Sequence, residues 1–172
     1  MSESLPVVYV AIGSNIEPEK NLQAAVDLLR ARCDVLAVSS VYQSPPYGFA
    51  DQPDFLDMAV KLTTTLSPEE FKTMLLEIER QLGRDRVSQV HKFGPRTVDL
   101  DILLWGDSAF SYGGKPWRVP DSDIVKYAAV AIPLEELAPD YVHPEEKVTL
   151  KEIAARFDDA AEIKRTDLEI FV

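Results

Sequence analysis

Apolar residues recur at strand-like and then helix-like spacings along the first half of the chain. Leu5 to Ile12 is a β-rich apolar run that ends at Gly13, so it predicts a first strand buried on both faces. Pro18 can occupy the first turn of a following helix. Val35 to Tyr42 predicts a second strand. The helix that Pro18 begins has an apolar stripe formed by Leu22, Ala25, Val26 and Leu29.

Strict alternation predicts a third strand from Phe55 to Leu62, after a proline-rich loop at 44–48. Phe55 and Asp57 then project from the face opposite the main apolar row. Ser67, with Pro68 and Glu70, has the pattern of a helix capping box. The buried stripe of this second helix is Phe71, Leu75, Ile78 and Leu82, and Gly83 is a plausible C-terminal stop.

A fourth strand is predicted from Asp99 to Leu104, which completes the order β-α-β-β-α-β. This order predicts an α+β fold with a ferredoxin-like core: an antiparallel sheet with both helices on one face. Residues from Trp117 to Val172 form a C-terminal extension with helical and irregular pieces, including an amphipathic stretch from Leu150 to Phe157. We expect residues 1–172 to form one domain, with ligands bound on the sheet face opposite the helices.

Charge sharpens the functional prediction. The chain carries a formal net charge of −11, which argues against nucleic acid or an anionic membrane as the main partner. Against that background, the segment from 80 to 96 is basic and holds a single acid, Asp85. Its cations are Arg80, Arg84, Arg86, Lys92 and Arg96. An acidic protein with one basic loop is expected to bind an anionic ligand there.

Asp99 and Asp101 are two residues apart on the fourth strand, so their side chains point to the same face, about 7 Å apart. Val98, Leu100 and Ile102 would then face the core. Two carboxylates on one face can hold a hard divalent cation, and nearby arginines can hold the phosphates that the cation bridges. Salt bridges between these acids and the arginines are the structural alternative.

Three further groups of residues are candidates for ligand binding. Gly13-Ser14-Asn15 follows a strand and could present backbone N–H groups to an anion, although Ser or Asn there could equally be a helix N-cap. Phe55 and Asp57 could form a slot for a flat heterocycle. Glu79 lies beside the buried stripe and could face the ligand. For each, a structural role is the competing interpretation.

The cellular context is expected to be cytoplasmic. Cys33 is the only cysteine, so an internal disulfide is impossible. The N-terminus lacks the pattern of a signal peptide, and no apolar run approaches the roughly 20 residues that a membrane span requires. We expect a monomer.

Several motifs, taken in order, resemble one family. They are Ala11-Ile12-Gly13-Ser14-Asn15, then the segments 39–48 and 51–56, Ile78-Glu79 with Gly83-Arg84-Asp85-Arg86, and Gly94-Pro95-Arg96-Thr97-Val98-Asp99-Leu100-Asp101-Ile102. Their order and spacing from about residue 7 to 106 resemble the 6-hydroxymethyl-7,8-dihydropterin pyrophosphokinases of folate biosynthesis. A weaker match to the family pattern lies at residues 133–139.

The resemblance implies an enzyme that binds ATP and two Mg²⁺ and moves the β,γ-diphosphate onto the pterin hydroxymethyl group, releasing AMP. It implies Asp99 and Asp101 as metal ligands and Arg84 and Arg96 as the arginines that stabilise the moving group. Implied nucleotide-side residues are Glu79, Arg86, Lys92, Ile102 and Arg118. Implied pterin-side residues are Ser44, Pro45, Tyr47, Phe55, Asp57 and Phe93.

The chain departs from the family pattern at three places. Asp57 stands where an asparagine is usual, and the loop between Arg86 and Gly94 is about two residues longer. The segment that usually reads Val-Pro-His, followed by an arginine and an aromatic, is here Val-Pro-Asp121, with Lys126-Tyr127-Ala128-Ala129 after it. Arg118 or Lys115 could replace the lost cation, and Tyr127 could replace the aromatic.

These departures leave rival functions open. A paralogue could keep the fold and bind a pterin or nucleotide without turnover, or a kinase could use a different acceptor alcohol. RNA-recognition domains share the β-α-β-β-α-β order, but the charge of −11 and the lack of an aromatic-rich basic strand argue against that class.

Overall fold

In the computed structural model, which describes residues 4–84 and 94–172, the chain builds a six-stranded antiparallel sheet. Its strands are β1 (Val7–Ser14), β2 (Asp34–Val38), β3 (Tyr42–Ser44), β4 (Phe55–Thr63), β5 (Asp99–Trp105) and β8 (Lys164–Arg165). A separate hairpin joins β6 (Phe110–Tyr112) and β7 (Trp117–Val119). The α-helices are α1 (Pro18–Arg30), α2 (Pro68–Gln81), α3 (Asp123–Lys126), α4 (Ala128–Leu137) and α5 (Leu150–Ala154).

The sheet order is β5-β1-β4-β3-β8, with β2 also paired to β4. This arrangement confirms the expected α+β, ferredoxin-like core. The apolar stripes of α1 and α2 pack together against Val8, Val10 and Ile12 on one face of β1. Pro18 begins α1, and the Ser67 capping box begins α2 as predicted. Gly83 follows α2 with φ +88°, a conformation that favours glycine.

The predicted strand from Val35 to Tyr42 is wrong as a single strand, because it is divided into β2 and β3. Ser39 uses both its backbone N–H and its hydroxyl at Ala59 of β4: the N–H donates to the Ala59 carbonyl, and the hydroxyl accepts from the Ala59 N–H. At the next residue, the Ser40 N–H and hydroxyl donate to the Glu136 carboxylate of α4. The regular ladder ends there because a distant side chain takes the backbone donor.

The C-terminal extension covers much of the second sheet face. Tyr9 and Leu103 on this face are buried with Ala131 and Leu134 of α4, and α5 adds Leu150 and Ile153 to the same cluster. RNA-recognition domains stack bases on this face of the sheet, which is occupied here. The ligand surface that remains lies where β1, β4 and β5 pass beyond α4. Across the described residues, none of the helices combines the length and apolarity needed to cross a bilayer.

Candidate active site

Three acidic side chains meet at one end of the second sheet face. Gly13 of β1 is the register partner of Asp57 on β4 and of Asp99 on β5. Ala11, two residues earlier on the same face, is paired with Asp101. A side chain at Gly13 would be crowded, since a Cβ atom there would lie 3.0 Å from Asp57 Oδ1. The small residues on β1 therefore leave open space between the flanking carboxylates.

Among the residues that the structure describes, two arginines converge on Asp99. Arg96 Nη1 donates to Asp99 Oδ2 at 2.7 Å, and Arg84 Nη1 lies 3.5 Å from Asp99 Oδ1. Arg84 Nη1 also donates to the Val98 carbonyl at 3.0 Å. Both arginine side chains are mostly buried, with exposed fractions of 6% for Arg84 and 20% for Arg96. This geometry fixes two guanidinium groups beside one carboxylate, where they can also meet phosphate oxygens.

A lysine from α2 lies beside the second aspartate. Lys72 Nζ is 3.6 Å from Asp101 Oδ1 and 3.5 Å from the Leu100 carbonyl oxygen. Burial, followed by the nearby Asp99 charge, raises the pKa of Asp101, and Lys72 opposes that rise. Burial also raises the pKa of Asp121 to about 6. The site therefore concentrates negative charge that a cation can relieve.

Asn15 holds the Arg96 segment in place. Its Oδ1 accepts from Arg96 N at 2.8 Å, while its Nδ2 donates to Gln52 Oε1 and to the Pro53 carbonyl. The backbone N–H groups of Asn15 and Ile16 donate to the Arg96 carbonyl. The anion-binding interpretation of this loop is therefore wrong, because these donors are used internally.

The N-cap interpretation of the same loop is wrong as well. The residue at the N-cap of α1 is Glu17, in a left-handed conformation and without a side-chain cap. Gly13 and Ser14 belong to β1.

Two clefts open from this acidic and basic centre. The first, of about 580 Å³, is lined by Lys72, Leu76, Arg84, Arg96, Asp99, Asp101, Ile102, Tyr112, Lys115, Pro116, Trp117, Arg118, Asp121 and Ser122. The second, of about 410 Å³, is lined by Ala11, Ile12, Gly13, Ser44, Pro45, Tyr47, Phe55, Asp57, Met58, Arg96, Asp99, Asp101, Asp123, Lys126, Tyr127, Ala129 and Val130. The two clefts share Arg96, Asp99 and Asp101.

Known proteins match this chain over most of its length. The family model for 7,8-dihydro-6-hydroxymethylpterin-pyrophosphokinase (HPPK) matches residues 9–139. The chain belongs to this family. Relatives named 2-amino-4-hydroxy-6-hydroxymethyldihydropteridine pyrophosphokinase include one from Haemophilus influenzae, 35% identical over 91% of this chain and 96% of the relative. Another, from Pseudomonas aeruginosa, is 40% identical over 80% of this chain and 84% of the relative.

The solved structures share the fold. HPPK-DHPS from Plasmodium falciparum, solved with SDX-DHP, superposes with a TM-score of 0.72 and 12% identity. The match covers 90% of this chain but 46% of that one, so the present chain corresponds to about half of the larger protein.

The second cleft of this HPPK-family chain is an aromatic slot with an acid on its wall. The rings of Tyr47 and Tyr127 meet edge to face with centroids 4.9 Å apart. Ser44 Oγ donates to Asp57 Oδ2 at 2.6 Å. Burial raises the pKa of Asp57 to about 7, and the Asp99 charge adds to the rise, while the Ser44 hydrogen bond opposes it. Asp57 therefore keeps its proton to a higher pH than an exposed aspartate does.

The structure brings together most of the residues that the sequence singled out. Arg84, Ile102 and Arg118 line the first cleft, and the predicted pterin-side residues from Ser44 to Asp57 line the second. Arg118 also forms an ion pair with Glu145. Predictions for Arg86, Lys92 and Phe93 fall outside the described residues.

Glu79 does not line either cleft. It is buried, and its Oε2 accepts from the Leu100 N–H at 3.2 Å, while its carbonyl accepts from the Arg84 N–H. These contacts link the end of α2 to Leu100 of β5 and to Arg84, which follows the helix. Glu79 therefore acts on the first cleft through the residues that it holds, and its charge also adds to the burial-driven rise in the pKa of Asp101.

Sequence reasoning missed Lys72, the clamp at Asn15 and the β6–β7 hairpin, which supplies the Trp117 wall of the first cleft. The hairpin had a signal, since Gly113-Gly114 lies between two short stretches with alternating aromatic and polar residues. Lys72 had none, because a lysine on an amphipathic helix is typical of a solvated position.

The donor set fits magnesium bound together with a phosphorylated substrate. Mg²⁺ is usually held by one or two carboxylates, with waters and substrate phosphates completing an octahedron. Asp99 and Asp101 present two carboxylates on one face. Among the described residues, no group of three or more His, Cys, Asp or Glu side chains forms a protein-only metal cage.

Proposed function

We propose that this chain transfers the β,γ-diphosphate of ATP to the hydroxymethyl group of 6-hydroxymethyl-7,8-dihydropterin and releases AMP, a step of folate biosynthesis. The acceptor hydroxyl oxygen forms a bond to the β-phosphorus and releases its proton to solvent, as the bond from that phosphorus to the bridging oxygen breaks and AMP leaves with that oxygen. The relatives from Haemophilus influenzae and Pseudomonas aeruginosa, which carry the name of this enzyme, support the assignment.

One observation supports this reaction best: two clefts of different chemistry meet at Arg96, Asp99 and Asp101. Of the described residues, five lysine and arginine side chains line the first cleft, beside two aromatic rings and three aspartates, and these cations suit a polyphosphate. Three aromatic rings from the described part of the chain line the second cleft, beside two cations and four aspartates, and these rings suit a flat heterocycle. Transfer between two substrates needs their reacting ends at one point, and positioning of this kind supplies much of the catalysis in phosphoryl transfer.

ATP is proposed to occupy the first cleft, against Ile102 and Arg118, with Arg86 and Lys92 contributing from the basic loop. Glu79 would act from behind the cleft wall by holding Leu100 and Arg84. Arg84 and Arg96 are proposed as the catalytic residues, because their guanidinium groups can follow charge as it moves with the diphosphate. Their present partner, Asp99, keeps them oriented until phosphate oxygens arrive.

The pterin is proposed to lie in the second cleft, between Phe55 and the tyrosine pair, with Phe93 as a further contact. Ser44 and Asp57 would meet the hydrogen-bonding edge of the ring, and Pro45 would support it. Asp57 has two useful states there: the carboxylate accepts from amino and imino N–H groups, and the neutral acid can also donate.

Asp99 and Asp101 are proposed to hold two Mg²⁺ ions together with the phosphates of ATP. Bound Mg²⁺ offsets phosphate charge and aligns the transferring group. We further propose that the protein works as a monomer and that the reaction takes place in the cytoplasm.

The test is substrate-dependent release of AMP. Purified protein with ATP and Mg²⁺ is expected to form AMP only when the hydroxymethyl-dihydropterin is added, with one pterin diphosphate per AMP by chromatography. Asp99→Ala should lower kcat by roughly a thousandfold, because the variant loses a metal ligand and the carboxylate that orients Arg84 and Arg96. The matched control is Asp107→Ala, since Asp107 is an exposed acid just beyond the far end of β5.

Formation of AMP without the pterin would contradict the proposed acceptor. Tight binding of both substrates in calorimetry without AMP release would instead identify a binding module. Equal losses in Asp99→Ala and Asp107→Ala would contradict the placement of the site.

A further inference from the structure

We propose that Lys72 is a nucleotide-binding residue that contacts the phosphate nearest the nucleoside, an inference that rests on the proposed function of the first cleft. Lys72 lies on α2, one of the two helices of the ferredoxin-like core. Its side chain passes along the edge of β5 and reaches the acidic end of the sheet. It brings a cation beside Asp101, whereas Arg84 and Arg96 lie beside Asp99.

The burial of Lys72 needs an explanation. The residue is 6% exposed, and lysines are rarely buried to this degree without strong partners, because removing an ammonium group from water is costly. Its side chain lines the first cleft rather than the apolar core. A buried cation on a cleft wall is a typical arrangement for binding an anion that enters from solvent.

The present partners of Lys72 leave capacity for another. Among the described residues, its polar contacts are Asp101 at 3.6 Å and the Leu100 carbonyl at 3.5 Å, both longer than the roughly 2.7–2.9 Å of a strong charged hydrogen bond. Its Nζ also lies 5.7 Å from the centroid of the Trp117 ring. An ammonium group has three donors, so a phosphate oxygen can be added to these contacts.

The distribution of charge indicates which part of the nucleotide Lys72 meets. Arg84 and Arg96 gather at Asp99, close to the junction of the two clefts. Asp101 and Asp121 form an acidic wall of the first cleft, and Lys72 Nζ lies 3.6 Å from Asp101 Oδ1. Lys72 therefore offsets the repulsion that these carboxylates would exert on a phosphate.

The positions of the two clefts further indicate which phosphate of the nucleotide Lys72 contacts. Arg84 and Lys72 both line the first cleft and are absent from the lining of the second, but Arg84 lies beside Asp99, whereas Lys72 lies beside Asp101. Its ammonium group therefore lies on the nucleoside side of the junction. The phosphate that stays with AMP is the one expected within its reach.

Calorimetry of three ligands tests the proposal without turnover: adenosine, AMP, and α,β-methylene-ATP with Mg²⁺. Lys72→Met keeps an unbranched stem of similar length and removes the charge. We expect its affinity for AMP and for the ATP analogue to fall roughly tenfold or more, since one charged hydrogen bond is lost. Adenosine should bind within about twofold of wild type, and Lys72→Arg should recover most of the AMP affinity.

Two controls separate a direct contact from a change in general charge. Lys20→Met removes a charge from an exposed lysine on α1 and should leave AMP affinity unchanged. Lys115→Met removes a cation from the hairpin side of the same cleft. If Lys115→Met weakens AMP as much as Lys72→Met does, the effect belongs to the general field of the cleft and the specific assignment is overturned.

A structural role for Lys72 has a different signature. If Lys72 serves only to balance Asp101, Lys72→Met leaves AMP affinity unchanged or weakens adenosine and AMP alike, and either result overturns the proposal. If the Met variant does not fold, reductive methylation of the wild-type protein decides: AMP, but not adenosine, should slow labelling of Lys72. Equal labelling with both ligands overturns the contact. Normal AMP release by wild type alongside any of these failures would leave the proposed function standing.

Discussion

Asp57→Asn offers the sharpest physical test of the second cleft, because a single atom replacement removes one titrating group. Asp57 shares a row with Gly13 and Asp99, and its pKa is raised to about 7 from an ordinary value of 3.8. Between pH 4 and 7 the folded protein therefore binds a proton that the unfolded chain has released. The free energy of unfolding must fall as pH rises through that window.

The size of the effect follows from the shift. About three pKa units at about 1.36 kcal/mol each correspond to roughly 4 kcal/mol as an upper limit. Asp57 keeps part of its surface open to water in the cleft, so we expect about half, or ~2 kcal/mol, by pH 8. The asparagine variant has no such loss. It should become more stable relative to wild type by roughly 1–2 kcal/mol between pH 5 and pH 8.

Urea unfolding at pH 5 and pH 8, with a chelator present, measures this difference. With an m-value of about 2 kcal/mol/M, the midpoint gap between variant and wild type should widen by roughly 0.5–1 M. Other acids with raised pKa values, such as Asp101 and Asp121, titrate in both proteins and cancel in the difference. Exposed Asp54→Asn is the matched control and should show a constant gap. A constant gap for Asp57→Asn would refute a raised pKa of Asp57 in the folded protein.

Three further substitutions test separate parts of the molecule. Asn15→Ala removes the acceptor for the Arg96 N–H and two donor contacts, so it should lower the free energy of unfolding in urea by roughly 2–3 kcal/mol and also lower kcat. An unchanged kcat would show that Arg96 needs no such support. Tyr127→Ala removes the ring that meets Tyr47 and should raise the pterin Kd roughly tenfold in fluorescence titrations while leaving the AMP Kd unchanged; a loss for both ligands would contradict a local role in the slot. Ser67→Ala breaks the capping box at a residue that lines neither cleft and should lower Tm by roughly 2–4 °C with kcat/KM intact. Lost activity would show that stability and catalysis are not separate in α2.

Local patterns explain why much of the core could be predicted. The alternation in β4, the stripes of α1 and α2 and the capping box at Ser67 are determined by neighbours in sequence, and each was found. The break between β2 and β3 could not be found this way. It depends on Glu136, 96 residues from Ser40, whose carboxylate takes a backbone donor that the strand would otherwise use.

The residues of the site also divide into those that local sequence could predict and those that it could not. Asp99 and Asp101 could be paired from spacing alone, since a strand places residues i and i+2 on one face. Lys72 could not, because its burial depends on the β6–β7 hairpin, whose Trp117 ring lies over its ammonium group. Asn15 was wrongly interpreted for a similar reason. Its partners, Gln52, Pro53 and Arg96, come from segments that only the folded chain brings together.

The order of the strands brings acids that are distant in sequence close together on one face of the sheet. β1 lies between β4 and β5, so Asp57 and Asp99 flank the bare Gly13, and Asp101 follows on the same face. Beyond burial, the Asp99 charge raises the pKa of both Asp57 and Asp101, and such repulsion persists in a fold only when something offsets it. Arg84, Arg96 and Lys72 offset it in part in the free protein. A divalent cation would offset it further, so the repulsion that weakens the free site becomes a driving force for binding metal with ATP.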